Sequence, residues 1–282
     1  MDWFDSVTHA FATAGTGGFS TRNLSVGAYQ SPAVEIVLGI AMLLFSVNFA
    51  LYFLILCGKW RQALKSDELR FFASVVGGSV LLIACNIQSM YGSFLTSLRH
   101  AFFQVSSIIS TTGFSSVDFD LWPEFSRALL VILMFCGACA GSTGGGVKVT
   151  TFAVIILTIR SVAQGRDDCV IADHHIESKT VYRALTIIVL GAVAVIGSAI
   201  VVYYNTSDAV AVVDAIFESC SAFGTVGLSV GVTSQLNNGA KILYMLVMFM
   251  GRVGPVAFAM SLTAKPDDNK RKIMPVGHIN VG

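Results

Sequence analysis

Hydrophobic positions fall along this chain in long blocks rather than in the strict alternation of a strand. Residues 33–57, 71–91, 181–204 and 239–263 are apolar runs of 21 to 25 residues. A bilayer core takes about 20 helical residues, so each predicts a membrane crossing. Residues 125–160 are different. Two apolar halves, 128–136 and 149–159, flank a segment with five glycines in ten residues, 137–146. Glycine at that density does not hold a regular helix, which predicts a broken crossing. Irregular backbone at membrane depth is tolerated only where protein buries it or water lines it. Three shorter amphipathic runs, 2–14, 98–110 and 209–223, cannot span. They predict half-length helices that enter the membrane and turn back.

Each half-length run leads into a related stretch. The three read Thr16-Gly17-Gly18-Phe19-Ser20, Thr111-Thr112-Gly113-Phe114-Ser115 and Thr225-Val226-Gly227-Leu228-Ser229, that is Thr-x-Gly-(Phe/Leu)-Ser. Asp5, His100 and Asp214 lie eleven residues before the three threonines, and the copies are 95 and 114 residues apart. Such spacings exceed the 20 to 50 residues of soluble repeats. They predict repetition of a whole membrane hairpin: helix, half-helix, turn, helix.

Composition agrees. Mean hydropathy is +0.72, 54% of residues are hydrophobic and only 12% are charged, outside the soluble range. A net charge of +1 argues against nucleic acid as a partner. Charge also sets orientation. The loops at 58–70, 160–183 and 264–272 carry twelve Lys and Arg residues, against four on the other side (Arg22, Arg99, Arg127 and Lys241). The basic side belongs in the cytoplasm, which puts all three Thr-x-Gly stretches on the outer side. The chain divides into 1–66, 67–165 with the glycine-rich segment, 166–264, and a tail, 265–282. The fold expected is an all-α polytopic membrane protein with five spanning segments and three re-entrant pore helices.

Three outer turns of this kind suit a cation path. An ion leaving water needs its hydration shell replaced by oxygens, and backbone carbonyls do this without net charge. Glycine permits the backbone conformations that aim them, and Thr and Ser hydroxyls satisfy the turned-out groups. A half-helix ending at the turn presents its partly negative C-terminus to a cation. Other chemistry is poorly served. Cys136 and Cys139 form a CxxC without a second pair, inside an apolar run, which reads as small packing residues before it reads as a metal or redox site. Gly144–Gly146 is no phosphate loop, because Val147 separates Gly146 from Lys148 and Val149 follows. The pair His174-His175 reads first as a solvated loop.

The residues resemble a known family. The stretches 16–21, 110–116 and 221–229 resemble the second, third and fourth filter segments of the Trk/Ktr/HKT superfamily of potassium transporters, and the likeness is strongest to the KtrB-type or TrkH-type membrane subunit. Residues 141–148 resemble the gating loop of its third repeat, and 250–255 its arginine-bearing last helix. The resemblance implies potassium translocation, with sodium left open, and no enzymatic activity or covalent cofactor. It implies ion binding by Thr16, Gly17, Gly18, Thr111, Thr112, Gly113, Thr225, Val226 and Gly227. It implies a gate of Gly141, Ser142, Thr143, Gly144, Gly145, Gly146 and Lys148, with Arg252 as an electrostatic barrier; the duller reading pairs Arg252 with Glu218 or backbone oxygens. Also implied are the bacterial inner membrane, a homodimer, and a cytosolic nucleotide-binding regulatory subunit of the KtrA/TrkA type. The family has four repeats, and the first has no counterpart in this sequence, so three turns are not expected to enclose an ion on four sides. Asp5, Asp214 and Glu218 either concentrate cations at the outer mouth or serve as helix-terminal hydrogen-bonding groups. The rival classes are an ion-coupled transporter with broken helices and a membrane enzyme. The first would want an intramembrane carboxylate, and only Glu35, near a span end, is available; the second would want clustered catalytic groups, and the histidines are scattered.

Overall fold

A computed structural model describes residues 1–165, 170–171, 174–175, 177–206 and 210–263. The tail 265–282 and part of the basic loop 160–183 lie outside the described residues. Apart from a two-residue antiparallel pairing of Val170–Ile171 with His174–His175, the regular structure described is helical. Among the described residues twelve α-helices run in order: α1 (Trp3–Ala14), α2 (Pro32–Ser46), α3 (Phe49–Leu56), α4 (Trp60–Leu64), α5 (Asp67–Tyr91), α6 (Phe94–Ile109), α7 (Glu124–Phe135), α8 (Val149–Ala163), α9 (Ser178–Asn205), α10 (Val212–Gly224), α11 (Asn238–Val253) and α12 (Pro255–Thr263).

The half-length helices are α1, α6 and α10, of 12, 16 and 13 residues. At 1.5 Å per residue they reach about 18 to 24 Å, short of a bilayer core. A side-chain cap starts the first of them, whereas α6 and α10 begin without one. Asp2 caps α1, its carboxylate accepting the Asp5 N–H at 2.8 Å. Each then ends at a Thr-x-Gly turn.

By length and composition, α5 and α9 can each cross a membrane, and the bent pairs α2–α3 and α11–α12 qualify when taken together. Residues 33–57, expected as one straight crossing, are therefore two helices meeting at 92°. No proline causes the break. Ser46 Oγ turns back to the Met42 carbonyl at 2.7 Å, and Asn48 Oδ1 accepts the Ala50 N–H at 2.9 Å, so one helix closes and a capped one begins. The second bend, 107° between α11 and α12, follows Gly254 (φ 100°) and Pro255, which cannot continue the helix. The broken crossing at 125–160 is α7, an irregular stretch at 136–148, and α8.

The apolar core lies among α5, α6, α7, α9, α10 and α11, with Ile83, Ile87, Ile108, Leu130, Met134 and Phe223 fully enclosed. A smaller cluster (Val26, Leu38, Met42, Phe103 and Phe114) joins α2 to the second turn. Among these apolar groups the half-helices bury many hydroxyls, including Thr13, Ser106, Ser107, Ser110, Ser219 and Ser221. Buried polar groups need partners; Ser107, Ser110 and Ser221 find theirs in the turns, whereas Thr13 bonds its own helix and Ser219 meets Tyr244 of α11.

Candidate ion path and gate

The three turns share one backbone. Thr16, Thr111 and Thr225 sit at φ 50°, 58° and 55°. The glycines two residues on, Gly18, Gly113 and Gly227, sit at φ 67°, 86° and 87°. A β-branched residue in the left-handed region is unusual and costs about 1–2 kcal/mol; three at equivalent positions mark a shared constraint rather than accident. The constraint is the end of each half-helix. The N–H of Gly17, Thr112 and Val226 donates to the carbonyl five residues back, of Ala12, Ser107 and Ser221, at 2.7, 3.0 and 2.9 Å. The threonine N–H bonds the carbonyl three residues back, at 3.2, 2.9 and 3.1 Å.

The turns stand side by side in chain order. A Cβ on Gly18 would overlap the Thr112 carbonyl oxygen, and a Cβ on Gly113 the Val226 carbonyl oxygen. Glycine at the third position of one turn thus lets the second-position carbonyl of the next approach. Gly227 faces open space on the corresponding side.

Hydroxyls behind the turns were not singled out from the sequence. Ser107 Oγ donates to the Phe114 carbonyl and Ser221 Oγ to the Leu228 carbonyl, each at 2.6 Å; the matching position of the first repeat is Ala12. Seven residues before each threonine stand His9, Gln104 and Glu218. His9 Nε2 meets Ser20 Oγ at 2.9 Å, and Glu218 Oε1 accepts from Ser229 Oγ at 2.5 Å. Gln104 is fully buried with neither amide atom partnered among the described residues. Aligning the repeats on their threonines would have exposed this shared offset.

Glu218 does not pair with Arg252. Besides Ser229 it accepts from the N–H groups of Val230, Val232 and Thr233 and from Thr233 Oγ1, so it organises the segment after the third turn. Asp5 is engaged by Thr21 at 2.6 Å and Arg22 at 3.1 Å, and Asp214 by Arg127 at 2.7 Å. The three carboxylates are hydrogen-bonding groups of the half-helices rather than free charges at an outer mouth. Hydrogen bonds from Thr21 and Tyr29, with Arg22 beside them, hold the Asp5 carboxyl down at about 2. Glu35 lies 3.1 Å from Arg99 Nε.

The glycine-rich segment 136–148 lies directly against the three threonines. Thr143 O accepts from Thr16 Oγ1 at 3.2 Å, and Gly145 N–H donates to Thr111 Oγ1 at 2.9 Å. A Cβ on Gly145 would overlap Thr225 Oγ1. The Lys148 ammonium folds back onto the Gly144 carbonyl. Arg252 donates from Nη1 to Thr16 Oγ1 at 3.1 Å and reaches the Gly15 carbonyl at 3.5 Å. Gly146 N–H donates to the Gly251 carbonyl one residue earlier on the same helix. Thr143, Gly144, Gly145 and Arg252 therefore meet the turns directly and Lys148 reaches them through Gly144, whereas Gly141 lies on the α2–α3 break and Ser142 bonds Cys139. Cys136 and Cys139 are buried free thiols within this segment, with Cys136 paired through its backbone to Val147.

Residues 1–273 match the family model TrkH, described as a cation transport protein. The chain belongs to this family. Its relatives include the Trk system potassium uptake protein TrkH of Halomonas elongata, 37% identical over 55% of this chain and 33% of that protein. The Ktr system potassium uptake protein B of Bacillus subtilis is 26% identical over 99% of the chain and 64% of its own length. The crystal structure of the potassium transporter TrkH from Vibrio parahaemolyticus superposes with a TM-score of 0.82 at 25% identity, over 94% of this chain and 59% of that one. The chain thus spans a third to two thirds of the TrkH-family relatives it matches, and it is a multi-pass, all-helical membrane protein.

Proposed function

We propose that this chain forms the translocation path of a potassium uptake protein in the bacterial inner membrane. The observation that carries the reading is the stack of three turns with one glycine loop under all three threonines. Carbonyls of 16–18, 111–113 and 225–227 would replace the hydration shell of a potassium ion, with sodium the competing cargo. Each turn ends a half-helix whose C-terminal dipole favours a cation.

Loop 141–146 and Lys148 would close the path, since the loop's hydrogen bonds occupy the inner face of the turns. Arg252 places a second positive charge there, held by Thr16 and Gly15. In this reading the chain is a membrane subunit that works as a homodimer with a KtrA/TrkA-type regulatory ring. The basic stretch around α4, with Lys59, Arg61 and Lys65, would face that ring.

The test is rubidium uptake in a strain without its own potassium importers, with membrane levels equalised. Joint Gly144→Ala, Gly145→Ala and Gly146→Ala substitution should change the maximal rate by roughly tenfold, because side chains at 144 and 145 meet Ala138 and Thr225. Arg252→Ala should change it severalfold. Unchanged uptake in both would remove the gate from this reading.

A further inference from the structure

Glu68 stands in the first turn of α5, far in sequence from the glycine loop, yet its two oxygens reach both the loop and the helix break beside it. Oε1 accepts the Ala140 N–H at 2.9 Å, and Oε2 accepts from Asn48 Nδ2 at 3.1 Å. The orientation of the Asn48 amide is determined, because its Oδ1 already takes the Ala50 N–H as the cap of α3. Only Nδ2 is left to face the carboxylate.

The first half of the loop is docked on that same break. Cys139 N–H donates to the Ser46 carbonyl at 3.1 Å, Phe49 N–H to the Gly141 carbonyl at 3.1 Å, and Thr143 Oγ1 to the Phe45 carbonyl at 3.2 Å. Those contacts join neutral groups. Glu68 adds the ionised acceptor, and hydrogen bonds to a charged group are roughly twice as strong as neutral ones. It also ties loop and break to a third element, the 25-residue α5.

A cavity of about 480 Å³ adjoins it, lined by Glu68, Phe71, Ser74, Val149, Thr150 and Leu157. The carboxylate therefore has room to leave the loop without displacing packed atoms. Val149 and Thr150 begin the helix that follows the loop, so the cavity lies between α5 and the C-terminal end of the loop.

We propose that Glu68 is the positioning residue that latches the glycine loop under the turns, by holding the Ala140 N–H and the Asn48 side chain at once. The proposal rests on the reading of 141–146 as a gate. Releasing the latch raises the fraction of open transporters and leaves the filter turns untouched. It therefore acts on the maximal rate and not on the apparent affinity for the ion.

The decisive experiment exploits the direction of the hydrogen bonds. Glu68→Gln keeps an acceptor for Ala140 but turns a donor toward the Asn48 donor. Asn48→Asp sets two carboxylates against each other while still capping Ala50. Combined, the introduced amide donates to the introduced carboxylate, and every bond is restored with one polarity reversed. For the full chain, rubidium uptake and amide hydrogen exchange of 139–145 in lipid nanodiscs are measured together. Glu68→Ala and each single exchange should raise the maximal rate roughly tenfold with KM changed less than twofold, and should speed exchange in 139–145. The double variant should return both readouts toward those of the unaltered chain.

Unchanged exchange in the single variants, a change confined to KM, or a double variant no better than the worse single one would overturn the latch. Hydrogen exchange reads the loop even where no flux is measured. If the glycine-loop substitutions alter uptake and the Glu68 and Asn48 variants do not, the latch alone is wrong. If neither set does, the gate fails with it.

Discussion

The Thr-x-Gly turns and the loop against them are both rich in glycine, yet they are held in opposite ways. Each turn is held by its own half-helix, through the same two short-range backbone hydrogen bonds. The loop is pinned at its base by bonds between its own ends, Gly137 N–H to Val147 O at 2.7 Å and Val149 N–H to Ala138 O at 3.2 Å, but no helix end frames its tip. Its other contacts run to the α2–α3 break, to Glu68, to two threonines and to Gly251, each far away in sequence. Local bonds form with the helix that carries them, whereas distant ones exist only while separate elements stay in register. One glycine-rich backbone is thereby stiff and the other releasable, which is what the proposed path, selecting at one place and gating at another, requires.

The sharpest way to break this comparison is inside the turns. Gly113 and Gly227 have almost the same φ, 86° and 87°, but only Gly113 faces a neighbouring carbonyl. Gly227→Ala should cost backbone strain of about 1–2 kcal/mol. Gly113→Ala adds overlap with Val226 O and should abolish uptake, or lower it at least 100-fold. Rubidium uptake and thermal melting of the purified variants measure both, and equal effects would mean that the turns do not stack as described.

A smaller effect is expected behind the turns. Ser107→Ala and Ser221→Ala each remove one hydroxyl from a carbonyl, Phe114 or Leu228, at a cost of about 1 kcal/mol. Potassium-over-sodium preference should fall severalfold, with the maximal rate little altered. Ala12→Ser, at the position where the first repeat has no such hydroxyl, tests whether the turns gain from symmetry. If instead the serine variants changed gating and left selectivity alone, the division between stiff turns and releasable loop would fail.

The smallest effect concerns the outer end of α1. The folded Asp5 carboxyl, held at about 2 by Thr21, Tyr29 and Arg22, lies below its ordinary 3.8. A depressed carboxylate contributes stability above the unfolded value and loses it as pH falls through the folded one. Melting followed from pH 5 down to pH 2 should therefore decline most below about pH 4. Asp5→Asn should flatten that decline, and Thr21→Ala should shift it upward in pH. An unchanged profile for Asp5→Asn would place the acid sensitivity elsewhere.

Much of this architecture is legible in the chain. Half-helices and spans follow from run length, because a bilayer core sets a length scale. Thr-x-Gly could be found because the same backbone task recurs three times and chemistry allows few residues to do it. The break at Asn48 was not legible: it has no proline or glycine, and depends on a side chain capping a new helix. Nor was Glu68, which resembles an ordinary helix-starting carboxylate until Ala140 is brought to it. His9, Gln104 and Glu218 are an intermediate case, since their common offset is in the sequence but their different chemistries conceal it.

The sequence by itself determined the membrane class, the half-helices and their repetition, because run length and recurring motifs are written in neighbouring residues. Tertiary structure alone decided which carbonyl meets which glycine, where Arg252 donates, and what the 136–148 segment touches. The physical reason is range: a hydrogen bond across five residues is implicit in a helix end, whereas one across 72 residues, as between Glu68 and Ala140, exists only after the helices have packed.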